Sequence, residues 1–189
     1  MLANCDMTAD EYIAAMKEYL ADAAKKEPIK ARARLMMVGS ALDNPDYVKV
    51  IEDKGGLVVA DALCFGTRAF HDQIELDDKD IMGSLARYYL ERNTCPRMLD
   101  NRPAIHDEIK NACEKFKVQG VIYEKMQNCE CWGGEAFYLE PLLKDSGFPM
   151  LQVEREEQMA VLEDVGRRPL SVAIAFLVTL VSIAVQLVN

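Results

Sequence analysis

The sequence predicts an α/β domain of the flavodoxin-like kind, a doubly wound parallel sheet of at least four strands. Three observations point there. Short apolar runs recur along the chain: Leu35–Val38, Leu57–Ala60, Gly120–Tyr123 and Met150–Val153. They are continuously apolar instead of alternating, as strands buried on both faces require. Segments with helical periodicity lie between them, the alternation that builds crossover connections and a sheet covered on both sides.

The elements follow in chain order. Thr8–Lys26 reads as a helix, with Thr8 as its cap, Glu11 as the return partner of a capping box, and Tyr12, Ile13, Met16, Tyr19 and Leu20 on one face. Pro28 ends it, and residues 1–30 are expected to form an N-terminal linker helix. After the first strand, Pro45–Asp53 forms a helix closed by Gly55 and Gly56. Asp80–Arg92 follows the second strand, with Ile81, Leu85, Tyr88 and Tyr89 on one side. Pro103–Lys117 opens with proline in its first turn, where a missing N–H costs nothing. Glu135–Asp145 is helical and stopped by Gly147. The α/β domain is expected to span residues 31–160, and residues 161–189 a separate apolar helix.

Composition narrows the function. The chain carries 31 acidic against 22 basic residues, a net charge of -9. Such a balance lacks the basic stripe that phosphate neutralisation demands, so no nucleic-acid groove is expected. Met1 to Asp10 is mixed and polar, without the apolar stretch of a secretory leader. The six cysteines are therefore expected to be reduced thiols of a cytoplasmic protein, serving as core fillers, metal ligands or reactive groups.

Ligands of doubly wound sheets sit beyond the carboxyl ends of the strands. That rule singles out the loops Gly39–Asn44, Asp61–Phe70, Glu124–Gly134 and Glu154–Gln158. The third is the most unusual, with Cys129 and Cys131 ahead of the only tryptophan, Trp132, and the pair Gly133–Gly134. Glycines there allow close approach to a ligand or a sharp entry into the next helix. A thiolate beside a helix N-terminus is favoured by the helix dipole, and iron is ligated by thiolate and not thiol. Spacing alone leaves two readings open, metal ligation or ordinary small residues in a tight loop. In the second loop Cys64 follows the strand, and Arg68 can reach an anion such as a phosphate or a thioester oxygen. Cys95, Cys113 and Cys5 read as packed or inert, His106 as a solvated residue early in a helix, and His71 belongs to no constellation. Glu154 and Arg155 open a charge run that reads as a solvated face, although a strand end also makes them possible site residues.

Taken in order, these pieces resemble a family. They are Arg32–Ser40 with Leu42–Pro45, Val59–Arg68, Leu85–Leu90, Cys95–Met98, Gly120–Ile122, the Asn128–Cys129 loop, Gly147–Pro149 and Val153–Glu156. The set is similar to the C-terminal domain of the benzoyl-CoA reductase and 2-hydroxyacyl-CoA dehydratase subunits, over about Arg32 to Met159. The form of Gln127–Glu135 looks more like the benzoyl-CoA reductase branch. The resemblance implies an enzyme subunit that adds low-potential electrons to an acyl-CoA thioester. It also implies a homologous second subunit and a separate ATP-hydrolysing iron–sulfur donor. In the family a [4Fe–4S] cluster lies between two α/β domains, held by two cysteines of the first and one of the second. Cys129 stands at the last of these positions, and Cys131, displaced by two residues, is the second choice.

Two departures shape the expectations. No cluster-bearing domain is expected ahead of Met1, so a cluster is expected to be incomplete in this chain alone. The end of the chain also departs from the family's Gly-Gln and Thr-Arg pattern. Ser171–Asn189 carries no charge and is about long enough to span a bilayer, with Arg167 and Arg168 ahead of it. An altered or shifted end is preferred over a membrane anchor or a divergent final helix.

Overall fold

The computed structural model describes residues 6–70, 73–91, 94–98, 100–155 and 174–182. The chain divides into two compact units, Met1–Lys30 and Ala31–Asn189. The first holds helix α1 (Ala9–Ala23), capped as its sequence predicts. The Glu11 carboxylate accepts from the Thr8 backbone N–H at 2.8 Å, and the Glu11 N–H donates back to the Thr8 hydroxyl at 3.5 Å.

The second unit contains β1 (Ala33–Gly39), α2 (Asp46–Asp53), β2 (Gly56–Leu63), a 3₁₀ turn (Thr67–Phe70), α3 (Ile81–Glu91), α4 (Arg102–Lys115), β3 (Gly120–Met126), α5 (Glu130–Asp145) and β4 (Met150–Arg155). A last helix, α6, spans residues 174–182. The four strands form one sheet in the order β2-β1-β3-β4, parallel throughout. This is the flavodoxin-like α/β arrangement expected. The strand order reverses between β1 and β3, which places the switch point there.

Alternate residues of each strand feed opposite faces. Met36, Val38, Val121 and Tyr123 pack with Ile105, Ile109 and Cys113 of α4 and with Trp132, Leu139 and Leu143 of α5. Leu35, Met37 and Ile122 pack with Tyr47 and Ile51 of α2 and with Ile174, Leu177, Val178 and Val181 of α6. Burial on both sides explains why the strands read as unbroken apolar runs.

The chain's apolar end is thus used, in its described part, to cover the sheet. Ile174, Leu177, Val178 and Val181 recur at helical spacing and are buried, and among the described residues no helix is long and apolar enough to cross a membrane. Val178→Asp would set an unpaired charge against β1 and β3. Its expected cost is at least about 3 kcal/mol, by analogy with breaking a buried pair, checked as a shift of the urea midpoint. A wild-type midpoint would show that α6 does not belong to the folded core.

Two local expectations are corrected. The apolar side of α3 does not join the sheet. Ser84 is its buried residue, while Ile81 and Tyr89 are exposed. Helical spacing identifies a stripe but not what the stripe faces. Gly133 and Gly134 make no turn, because α5 begins at Glu130 and contains both. The left-handed position that starts the helix falls instead on Asn128, at φ 63°. Asparagine tolerates that region better than most side chains.

Candidate functional site

The carboxyl edge of the sheet is built around a close approach of β1 and β3. Gly39 pairs with Glu124 in register and has φ 141°. A Cβ at Gly39 would lie 1.7 Å from the Glu124 carbonyl oxygen, so only glycine fits. The chain then turns into the loop Ser40–Pro45. The Ser40 N–H donates to the Glu124 carbonyl at 3.1 Å, and the Ser40 hydroxyl accepts from the Met126 N–H at 3.0 Å.

Beneath this loop lies a buried ion pair. Arg155, at the end of β4, donates to the Glu124 carboxylate and to the Ala41 carbonyl. Glu124 is fully buried and Arg155 nearly so. Burial pushes the Glu124 carboxyl above the usual range, although the Arg155 hydrogen bond and charge pull it down. The Tyr47 hydroxyl is pushed up to about 12, by burial first and then by the Glu124 charge. Glu124 Oε2 and Tyr47 Oη have no hydrogen-bond partner among the described residues. Arg155 therefore turns inward, against the reading of that run as a solvated face. Glu154 does stay exposed and pairs with Lys125 at 2.9 Å. Residues 156–158 of that predicted loop lie outside the described residues.

The third loop is shorter than expected, because β3 runs to Met126 and α5 starts at Glu130. Cys129 is the N-cap residue of α5, and its side chain makes no capping hydrogen bond. It is half-buried and packs on the same core cluster as Trp132. Cys131 lies in the first turn, also half-buried. Trp132 is buried and bonded at both ends. Its carbonyl accepts from the Tyr123 hydroxyl at 2.5 Å, and its indole N–H donates to Cys64 Sγ at 3.2 Å. The Tyr123 hydroxyl is shifted upward, by burial first and then by the charges of Glu135, Cys129 and Glu124. It therefore stays protonated at neutral pH and donates to the Trp132 carbonyl.

The remaining candidates fall as follows. Arg68 sits in the 3₁₀ turn, and its guanidinium donates to the Thr94 carbonyl at 2.8 Å. Cys113 is a buried thiol pushed up to about 12 by burial, in contact with Met36 Sδ at 3.6 Å, and is inert at neutral pH. Cys95 is half-buried in the segment after α3. Cys5 and His71 lie outside the described residues. His106 is not solvated. Its Nε2 is 2.5 Å from Glu135 Oε1, and Arg102 donates to the same carboxylate at 3.3 Å while stacking 3.7 Å over the Tyr138 ring. This cluster joins α4 to α5 across 29 residues of sequence, so no local pattern announces it. The sequence also missed Glu124. Its one signal there was a carboxylate directly after the apolar run Gly120–Tyr123.

A [4Fe–4S] cluster requires several thiolates converging on one point. Among the described residues no group of three or more His, Cys, Asp or Glu side chains is placed to hold a metal ion. Cys129 makes no capping hydrogen bond with its side chain. The described residues do not complete a cluster by themselves.

The sheet order and the crossover helices define a doubly wound α/β domain with a thiol at a helix entry on its carboxyl edge. No curated protein matches the chain. A family model described as 2-hydroxyglutaryl-CoA dehydratase, D-component, matches residues 1–168, and the chain belongs to that family. It is accordingly a subunit of the 2-hydroxyacyl-CoA dehydratase type, a type whose members usually bind iron–sulfur clusters and act on acyl-CoA.

Proposed function

We propose that this subunit serves an iron–sulfur enzyme that transfers electrons to an aromatic acyl-CoA thioester such as benzoyl-CoA. In this reading Cys129 supplies one thiolate to a [4Fe–4S] cluster, and the other ligands come from outside the described residues. The observation that carries it is the half-buried Cys129 side chain, uncommitted at the N-cap of α5 beside the switch point. Cys131 is the alternative ligand, two residues on. The cluster, when bound, supplies the electrons, while this chain orients one iron ligand and presents Arg68 to the anionic end of the acyl-CoA. A homologous second subunit and an ATP-hydrolysing iron–sulfur donor complete the system, and the cytoplasm is its compartment. The domain scheme is a linker helix at 1–30, the ligand-bearing domain at 31–160 and the apolar helix region at 161–189.

A second reading is dehydration of an (R)-2-hydroxyacyl-CoA, the kind of activity named in the family's description. A non-catalytic scaffold domain is the remaining alternative. Anaerobic reconstitution of the full chain with its partner subunits, iron and sulfide tests all three. Cys129→Ser should remove most of the iron bound at this subunit, whereas Cys131→Ser should retain it. Full iron retention in Cys129→Ser would overturn the assignment. Benzoyl-CoA-dependent electron uptake and 2-hydroxyacyl-CoA dehydration then separate the first two readings, and failure to bind iron in any assembly supports the scaffold.

A further inference from the structure

We propose that Arg155 is a positioning residue that sets the gap between the Ser40–Pro45 loop and the loop carrying Cys129. The proposal rests on the reading of Cys129 given above. Three contacts made by this one residue carry it. The guanidinium donates to the Ala41 carbonyl, inside the first loop. It also donates to Glu124, whose own carbonyl accepts from the Ser40 N–H. The Arg155 carbonyl accepts from the Gln127 N–H at 2.6 Å, two residues before Cys129. Arg155 thus ties the first loop to the start of the loop carrying Cys129. The Met126 N–H to Ser40 Oγ bond is a further tie.

The same geometry shows that the pair is a poor source of stability. Both charges are withdrawn from water, and Glu124 Oε2 and the neighbouring Tyr47 Oη gain no hydrogen bond among the described residues. A buried ion pair with unsatisfied atoms is commonly replaced by apolar groups at no cost to folding, whereas removal of one partner strands the other charge. A role in placing the loops and a role in holding the fold therefore predict different outcomes.

The test is the double variant Glu124→Leu with Arg155→Met in the full chain, since Arg155→Met alone can fail to fold. The double variant is expected to melt no lower than the wild type. Amide hydrogen exchange at Ser40 and Met126, whose N–H groups bond between the first loop and β3, should accelerate about tenfold or more while the other strand amides stay protected. In the assembled enzyme kcat for the acyl-CoA should fall about tenfold or more with KM unchanged, because a small misplacement of reacting groups is costly. A folded double variant with wild-type exchange at Ser40 and Met126 overturns the proposal. So does a lowered melting temperature with faster exchange throughout, which would make the pair a plain stabiliser, and so does wild-type kcat in a loosened loop. If the wild-type assembly turns over no acyl-CoA, the functional reading fails instead, and the exchange experiment still decides whether Arg155 sets the loop.

Discussion

Gly39→Ala should be the most damaging small substitution in the chain. The new methyl would have to occupy space 1.7 Å from the Glu124 backbone oxygen, and the residue would keep φ 141°. Neither problem has a local remedy, since the obstructing atom is backbone in the centre of the sheet. Overpacking and an unfavourable dihedral each cost about 1–3 kcal/mol. Their sum is a large part of the total stability of a domain of this size. A denaturant midpoint far below wild type, or accumulation as insoluble protein, is the expected result. Gly134→Ala is the matched control. Its Cβ meets nothing within 4 Å, and a helix-interior alanine is favoured over glycine by about 0.5–1 kcal/mol. If both variants unfold at the same urea concentration, the close approach of β1 to β3 is not a feature of the folded protein.

Raising the pH should destabilise the domain above about pH 9, through Cys113 and Tyr47 on opposite faces of the sheet, with Tyr123 adding to the loss from about pH 10 upward. Cys113, among the α4 and α5 contacts, is raised from its ordinary 9.0 to about 12, chiefly by burial. Tyr47, on the α2 side, is raised from 10.0 to about 12, by burial first and then by Glu124. A folded-state pKa above the unfolded one means that the folded state holds its proton longer. The stabilisation is complete below the unfolded values and is lost as pH climbs toward the folded ones. Each tenfold gain in proton affinity on folding is worth about 1.4 kcal/mol, so Cys113 and Tyr47 together lose on the order of 7 kcal/mol across this window. Urea midpoints at pH 8 and pH 11 measure it directly. Cys113→Ala and Tyr47→Phe should each flatten the decline, and a decline that both leave unchanged would place the alkaline sensitivity elsewhere.

The positions of the central strands were legible because β1 and the first part of β3 are buried on both faces and so must be apolar throughout. Leu35 to Val38 needed no knowledge of its neighbours to be read that way. The ends were less legible. β2 continues past Ala60 through Asp61 to Leu63, and β3 continues through Glu124 to Met126. Polar residues at the carboxyl edge look like loop, yet Glu124 is tolerated in the strand because Arg155, 31 residues away, turns inward to meet it. Likewise the Gly133–Gly134 pair suggested a turn, but the reversal is made at Asn128, and the two glycines continue the helix.

By itself, the order of residues determined the α/β class, the parallel sheet, the Thr8–Glu11 cap and the location of Cys129 at the carboxyl edge. Those features depend on side-chain periodicity and on interactions between residues a few positions apart, which a linear reading contains. Only the tertiary structure decided that His106 meets Glu135, that Trp132 reaches Cys64, that Arg155 is buried, and that residues 174–182 lie against β1 and β3. Each of those contacts joins segments far apart in the chain. Its strength comes from exclusion of water at the place where they meet, and no single segment carries that information.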